Sequence, residues 1–166
     1  MATGRRRGRA LIALLALFVV FALGWSAGTL GVGRRVPRAS LTDLERQFTD
    51  RMNGATLVGR FTVAGREDRP ASPDRYEIAS VEKVGGSDWR FNAHLRYATI
   101  DVTLPIVVTM LWAGDTPIIT MTDVTIPALG TFTARVFFYG DRYAGTWQHG
   151  GVGGHMFGRI QKHEGA

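Results

Sequence analysis

No cysteine occurs among the 166 residues of this chain. Its absence excludes disulfide frameworks, thiolate metal sites, thiol nucleophiles and the acylated cysteine of lipoproteins. Acidic residues are missing from the N-terminal segment, where none precedes Asp43. Seven of the 20 basic residues lie there, so 13 basic and 14 acidic residues remain from Ala39 onward, a net charge of −1. The formal charge of +6 therefore comes from the N-terminus, and the remainder lacks the basic surface expected of a partner of nucleic acid.

An uncharged stretch from Ala10 to Val32 lies between two arginine clusters. Its length reaches the roughly 20 residues that a membrane-spanning helix needs. The pattern predicts either an uncleaved signal anchor or a cleaved signal peptide, and the long apolar core with Trp25 near its end favours the anchor. More positive charge precedes the stretch than follows it, which predicts a cytoplasmic tail over residues 1–9. The membrane is thus the predicted partner of residues 10–32, and the following domain is predicted to lie outside the cytoplasm, anchored or exported.

A short linker over residues 33–39 is followed by a helical pattern over residues 40–53. Ser40 and Asp43 have the spacing of a capping box, and Asn53-Gly54 supplies a stop. Charged residues, Glu45 among them, are predicted on the opposite side from the apolar positions, which recur at helical spacing: Leu41, Leu44, Phe48 and Met52. We expect this amphipathic helix to pack on the domain that follows, with binding to a partner or a membrane surface as the alternative.

From residue 54 to the end, the apolar period changes from helical to two. Trp89, Phe91, Ala93 and Leu95, for example, alternate with polar residues, as in a strand with one buried face. Turn signals at short intervals divide the region into eight predicted strands: 56–64, 75–84, 88–96, 99–111, 117–126, 131–139, 142–149 and 154–162. This mainly β region is predicted to form a small antiparallel up-and-down barrel, with a two-layer sandwich as the alternative. Pro105 predicts a bend, a bulge or an edge in the fourth strand.

The predicted inward face of the barrel carries many large side chains. An eight-stranded barrel is either filled by such side chains or just wide enough for one small ligand. Side-chain volume alone favours the filled interior. A filled barrel would serve as a structural or protein-interaction module beside the membrane, through exposed residues such as Phe137 or Tyr139, although the sequence does not identify a protein partner.

The glycine-rich run Gly150–Gly154 is predicted to be the loop of the last hairpin. That register would place His149 opposite His155, and Arg159 diagonally across from Trp147. A guanidinium there would stack on the indole ring.

Gly145-Thr146-Trp147 together with Arg159 resembles the Gly-x-Trp motif and closing arginine of lipocalin- and avidin-type barrels, the calycins. The resemblance implies an eight-stranded barrel that binds a small apolar or lipid-like ligand without catalysis. The residues then expected to contact the ligand are Trp89, Phe91, Trp112, Trp147 and Arg159. The segments 112–123 and 126–136, continuing into the tail, also resemble uncharacterised exported bacterial β-domain proteins.

Sequence signals for catalysis are weak. Nucleophile elbows, phosphate-binding loops and dinucleotide fingerprints do not occur, and the sequence indicates neither a catalytic residue nor a cofactor. His149 and His155 are the weak candidates for a metal-dependent hydrolase, although spacing indicates no third ligand. Alternation places Asp101 outward, whereas Asp123 would be of functional interest if it pointed inward.

Overall fold

The computed structural model describes residues 35–127 and 129–162. The predicted tail and anchor, residues 1–32, lie outside this range, and none of the described helices is long and apolar enough to cross a membrane. The described residues belong to a compact unit, Arg34–Ala166, called the barrel unit below. Its elements are a 3-10 turn (Arg38–Ser40), helix α1 (Asp43–Met52) and strands β1 (Ala55–Phe61), β2 (Ser72–Gly85), β3 (Asp88–Tyr97), β4 (Ile100–Ala113), β5 (Thr116–Ile126), β6 (Gly130–Tyr139), β7 (Arg142–His149) and β8 (Val152–Lys162).

The eight strands form one closed antiparallel barrel in sequence order. The last strand pairs with the first from Ala55↔Lys162 to Phe61↔Met156, which closes the sheet. The predicted eight-stranded barrel is therefore confirmed, and the alternative of a two-layer sandwich is wrong. Because the sheet closes on itself around its own apolar core, we expect the barrel unit to fold without residues 1–33.

Helix α1 begins later than its sequence pattern predicts. Its N-cap is Thr42, whose hydroxyl accepts the Glu45 N–H while the Glu45 carboxylate accepts the Thr42 N–H. Ser40, the predicted cap, belongs instead to the preceding 3-10 turn. Glu45 is also buried, contrary to prediction, because Lys83 donates to its carboxylate at 2.5 Å. A carboxylate can be buried here because its charge is paired.

One end of the barrel is covered by α1, and we call this end the floor. Phe48 from α1 inserts among the inward-facing rings of Trp89, Trp112 and Phe138, with ring centroids 5.6–6.1 Å away. Met52, one helical turn further on, is fully buried. The opposite end, called the mouth, is surrounded by the β1–β2, β3–β4, β5–β6 and β7–β8 connections. The predicted packing of the amphipathic helix on the domain is thus confirmed.

The prediction for Pro105 is also confirmed. β4 pairs with β3 along Ile100–Thr109 but with β5 only along Thr109–Ala113. Pro105 therefore lies where β4 has a partner on one side only, as expected for a residue without an N–H to donate.

The predicted register of the last hairpin is wrong. The turn consists of Gly150 and Gly151, and His149 stands opposite Val152, not His155. Gly150 has φ +57°, the left-handed conformation that two-residue hairpin turns require. The other glycines of the run belong to β8, where Thr62 and Ala64 donate backbone hydrogen bonds to the carbonyls of His155 and Gly153. The register therefore differs by three residues from the predicted one, and an odd shift places Arg159 and Trp147 on opposite faces.

Candidate ligand-binding cavity

A cavity of about 650 Å³ occupies the barrel interior. It extends from Met52 at the floor to Ala98, Leu129 and Val152 at the mouth. Of the residues that the structure describes, 24 line its wall, and none of these is Asp, Glu, Lys or Arg. This volume lies within the range of about 300–1,000 Å³ that is typical of small-molecule sites.

The expectation of a filled interior is therefore wrong. The largest fully buried side chains include Trp89, Phe48 and Met52, which pack together at the floor. Farther from the floor, the inward positions include Ala93 and Ala134, whose side chains leave space along the barrel axis. The large side chains that fill the interior completely are thus those at the floor, a distribution that a sum of side-chain volumes does not reveal.

The five residues predicted to contact a ligand occupy three different places. Phe91 and Trp147 lie in the cavity wall. Trp89 and Trp112 pack beneath α1 against Phe48 and do not line the cavity. Arg159 is on the outer surface, where it donates to Asp141 at 2.8 Å.

Trp147 does not stack with Arg159, contrary to prediction. Its indole Nε1 donates to the Thr62 carbonyl at 3.2 Å, and its ring meets Phe61 edge-on at 5.7 Å. These two contacts hold the indole against the wall near the mouth, where an apolar ligand could lie against it.

The two candidate metal ligands are not brought together. His149 lines the cavity and stacks on Phe132 with ring centroids 4.4 Å apart, whereas His155 is exposed opposite Thr146. Within residues 35–127 and 129–162, no three His, Asp or Glu side chains are grouped as metal ligands. The geometry therefore does not support a metal-dependent hydrolase built on these histidines.

The two strand aspartates considered in the sequence are both exposed. Asp101 points outward as predicted and accepts a hydrogen bond from His94 Nε2 at 2.5 Å, which raises the pKa of His94. Asp123 lies at a bulge in β5, where it accepts from the Thr133 hydroxyl at 3.2 Å. Neither reaches the cavity wall.

A buried polar cluster that sequence reasoning missed lies beside the cavity. The Asp74 carboxylate is 3% exposed and accepts from the Tyr143 hydroxyl at 3.1 Å and the Tyr76 hydroxyl at 3.2 Å. Gly59 and Gly158 make room for the Tyr143 side chain, because a Cβ on Gly59 would lie within 3.0 Å of its hydroxyl oxygen and a Cβ on Gly158 within 3.0 Å of its ring. Glycines inside two predicted strands were the available signal for such a close approach.

Burial raises the pKa of Asp74 and, together with the Asp74 charge, that of Tyr143. A phenol with a raised pKa stays protonated, so Tyr143 is a hydrogen-bond donor and not a base. The cluster therefore positions two tyrosines in the cavity wall and supplies no nucleophile.

Replacing Asp74 by asparagine should change how stability depends on pH. The raised pKa means that the folded state holds this proton more tightly than the unfolded state, so the Asp74 contribution is greatest at low pH. As the pH rises above about 3.9, the unfolded state ionises first and the free energy of unfolding falls, until folded Asp74 has ionised too. Asp74→Asn should remove this fall.

Urea unfolding of the native protein and Asp74→Asn at several pH values measures this difference. Subtracting the two curves cancels the opposite slope from carboxylates whose pKa is lowered, such as Glu45 and Asp101. A difference curve that is flat across the acid range would show that the Asp74 pKa is not raised by folding.

The cavity is thus closed at the floor by α1, almost wholly apolar, and bordered by one buried carboxylate with two tyrosines. Comparison of the chain with protein-family models, curated proteins and solved structures gives no match.

Proposed function

We propose that this protein binds one small apolar or lipid-like molecule in its barrel and does not transform it. The cavity is the observation that carries the proposal, because none of the 24 described residues in its wall bears a carboxylate, ammonium or guanidinium group. An uncharged wall favours an apolar ligand, since transferring a charged group into it without a partner would be costly. The Gly-x-Trp part of the calycin resemblance supports the same function, because Trp147 lies in the cavity wall, whereas Arg159 does not.

Titration of the barrel unit with a fluorescent polyene fatty acid, cis-parinaric acid, tests this proposal. We expect saturable binding to the native protein. Ala134→Leu, which adds three carbons inside the cavity, should weaken binding about tenfold or more because the new side chain takes volume from the ligand. Ala93→Leu makes the same change on another strand and should act alike.

The matched control is Ala144→Leu, the same change on β7 at a position outside the cavity wall. It should bind like the native protein. Failure of the native protein to bind any apolar probe would contradict the proposal, and so would equal losses in Ala134→Leu and Ala144→Leu.

We further propose that residues 10–32 hold the barrel unit at a membrane, with the unit outside the cytoplasm. This rests on the sequence, in which the apolar stretch lies between arginine clusters with more positive charge before it than after it. If the stretch is instead cleaved, the unit is exported.

A protein-interaction module is the second candidate, favoured by an apolar row on the outer surface. Phe137 and Phe157 are 45% and 47% exposed, and the register aligns them across the sheet with Leu111, Ile118 and Ala144. Contiguous exposed apolar surface is typical of interaction sites. The parinaric-acid titration separates the two candidates, because an interaction module alone has no need of a ligand in the cavity.

A further inference from the structure

The seam between β4 and β5 is paired along only part of its length. The ladder between them covers Thr109–Ala113 on β4, five residues, whereas neighbouring strands elsewhere in the barrel pair over at least seven. Residues 100–108 of β4 and 121–126 of β5, all described, therefore have no ladder between them. On the mouth side of this seam, called the parting below, no ladder joins the two strands.

The parting follows from residues on three strands. Pro105 has no N–H to offer across the seam. On the other side, β5 carries a bulge with Asp123 at φ +51°, and the Asp123 N–H donates to the Thr133 hydroxyl on β6 at 3.0 Å. Arg135, also on β6, donates to the Met121 carbonyl. Side chains of β6 thus satisfy backbone groups of β5 near the bulge, in the part of β5 that has no partner on β4.

The cavity lies directly behind the parted seam. Ile106 on β4 and Met121 and Ile126 on β5 all line it, so its wall includes residues on both sides of the parting. On the outer side, Thr103 and Thr122 are exposed. A molecule crossing here would pass from a polar rim into an apolar interior.

A positive charge stands at the rim of the seam. Arg135 is exposed, and its guanidinium donates to the Thr122 hydroxyl at 2.8 Å and to the carbonyls of Met121 and Ala134. None of these partners is a carboxylate, so within the described residues the charge is held in place by neutral acceptors. A guanidinium held in this way favours a carboxylate as an additional partner.

Resting on the proposed function, we propose that the ligand is a long-chain carboxylate that enters through the β4–β5 seam. Its hydrocarbon chain lies in the cavity, where no described wall residue is Asp, Glu, Lys or Arg. Its carboxylate stays at the outer rim and pairs with Arg135. This arrangement places each part of the ligand in the surroundings that its solvation requires.

Competition against cis-parinaric acid by palmitic acid and by cetyl alcohol tests the role of Arg135. These two probes share the chain and differ in the head group. Arg135→Gln should lower the affinity for palmitic acid about tenfold or more and leave the affinity for cetyl alcohol unchanged, because only the acid has a charge to pair. Arg135→Lys, which keeps the charge, should restore part of the loss.

Arg60→Gln is the matched control. Arg60 lies on β1, far around the barrel, and likewise donates to a backbone carbonyl, that of Ala71, at 2.8 Å. It should leave both affinities unchanged. If Arg135→Gln lowered the affinities for the acid and the alcohol equally, or lowered neither, the assignment of the carboxylate to this rim would be overturned. If the native protein bound neither probe, the proposed function itself would fail.

The route of entry can be tested separately, because the chain has no native cysteine. Thr103→Cys at the seam and Gly151→Cys at the mouth can each carry a bulky polar maleimide label; Gly151 lies in the β7–β8 turn and does not line the cavity. We expect the label at Thr103 to slow association of cis-parinaric acid about tenfold or more, since it obstructs the parting, and the label at Gly151 to have little effect. Equal slowing by both labels, or slowing by the Gly151 label alone, would overturn entry through the seam.

Discussion

Replacing Phe48 by alanine should lower the free energy of unfolding of the barrel unit by about 3–5 kcal/mol. Phe48 is 2% exposed, and its ring lies edge-on to Trp89, Phe91, Trp112 and Phe138. Alanine would leave a void where these four rings meet, which the rigid barrel can refill only in part. The loss in free energy of unfolding includes the transfer free energy of the ring from water to the core and a further cost for the cavity that remains.

Urea unfolding followed by tryptophan fluorescence measures this change, with Leu44→Ala as the control. Leu44 lies on the same helix but is 39% exposed, so its replacement should cost about 1 kcal/mol or less. If the two variants were destabilised equally, the packing of Phe48 among the floor residues would not be what holds α1 to the barrel.

Replacing Gly59 by alanine should be comparably destabilising, by about 3–5 kcal/mol. A Cβ at this position would lie within 3.0 Å of the Tyr143 hydroxyl, the Phe157 carbonyl and an Asp74 carboxylate oxygen. Two of these atoms make the buried hydrogen bond between Tyr143 and Asp74, so the methyl group must displace it or push β1 away from β8. The expected loss in free energy of unfolding therefore has two parts, the crowding by the new methyl group and the loss of a hydrogen bond to a buried carboxylate.

Two further variants separate these contributions in the same unfolding experiment. Tyr143→Phe removes only the hydroxyl and should cost about 1.5–3 kcal/mol. Gly151→Ala places a methyl group where no atom lies within 4 Å and should be nearly neutral. If Gly59→Ala were no worse than Gly151→Ala, the close approach of Tyr143 to β1 would be contradicted.

The strands and their inward faces could be predicted because a period of two is a local property of the sequence. In β3, Trp89, Phe91, Ala93 and Leu95 are all at most 6% exposed, as their alternation predicts. Pro105 likewise has its effect within its own strand, since a missing N–H constrains pairing wherever the strand lies.

The hairpin register could not be predicted in the same way, because Gly150, Gly151, Gly153 and Gly154 are each able to form a turn. The register is decided by a contact with the chain that follows β1. A Cβ on Gly154 would lie within 3.0 Å of the Thr62 carbonyl, so this glycine is needed inside β8 and is not available for the turn. That contact joins positions 92 residues apart, beyond the reach of any local pattern.

The cavity and the polar cluster beside it also depend on distant pairing. Asp74 and Tyr143 are 69 residues apart in sequence. They lie in one row across four strands and meet because the two residues between them are Gly59 and Gly158. The volume of the cavity depends on where large and small side chains fall along the barrel axis, a position set by the stagger of the strands. Which of the predicted aromatic residues reach the cavity therefore became visible only in the folded barrel.

The plug formed by α1 has a consequence for transport. Because the floor is closed by Phe48 and the rings around it, passage along the whole length of the barrel axis is blocked. The mouth and the unpaired part of the β4–β5 seam both lie on the other half of the barrel. Uptake and release of any bound molecule would therefore both take place on that half.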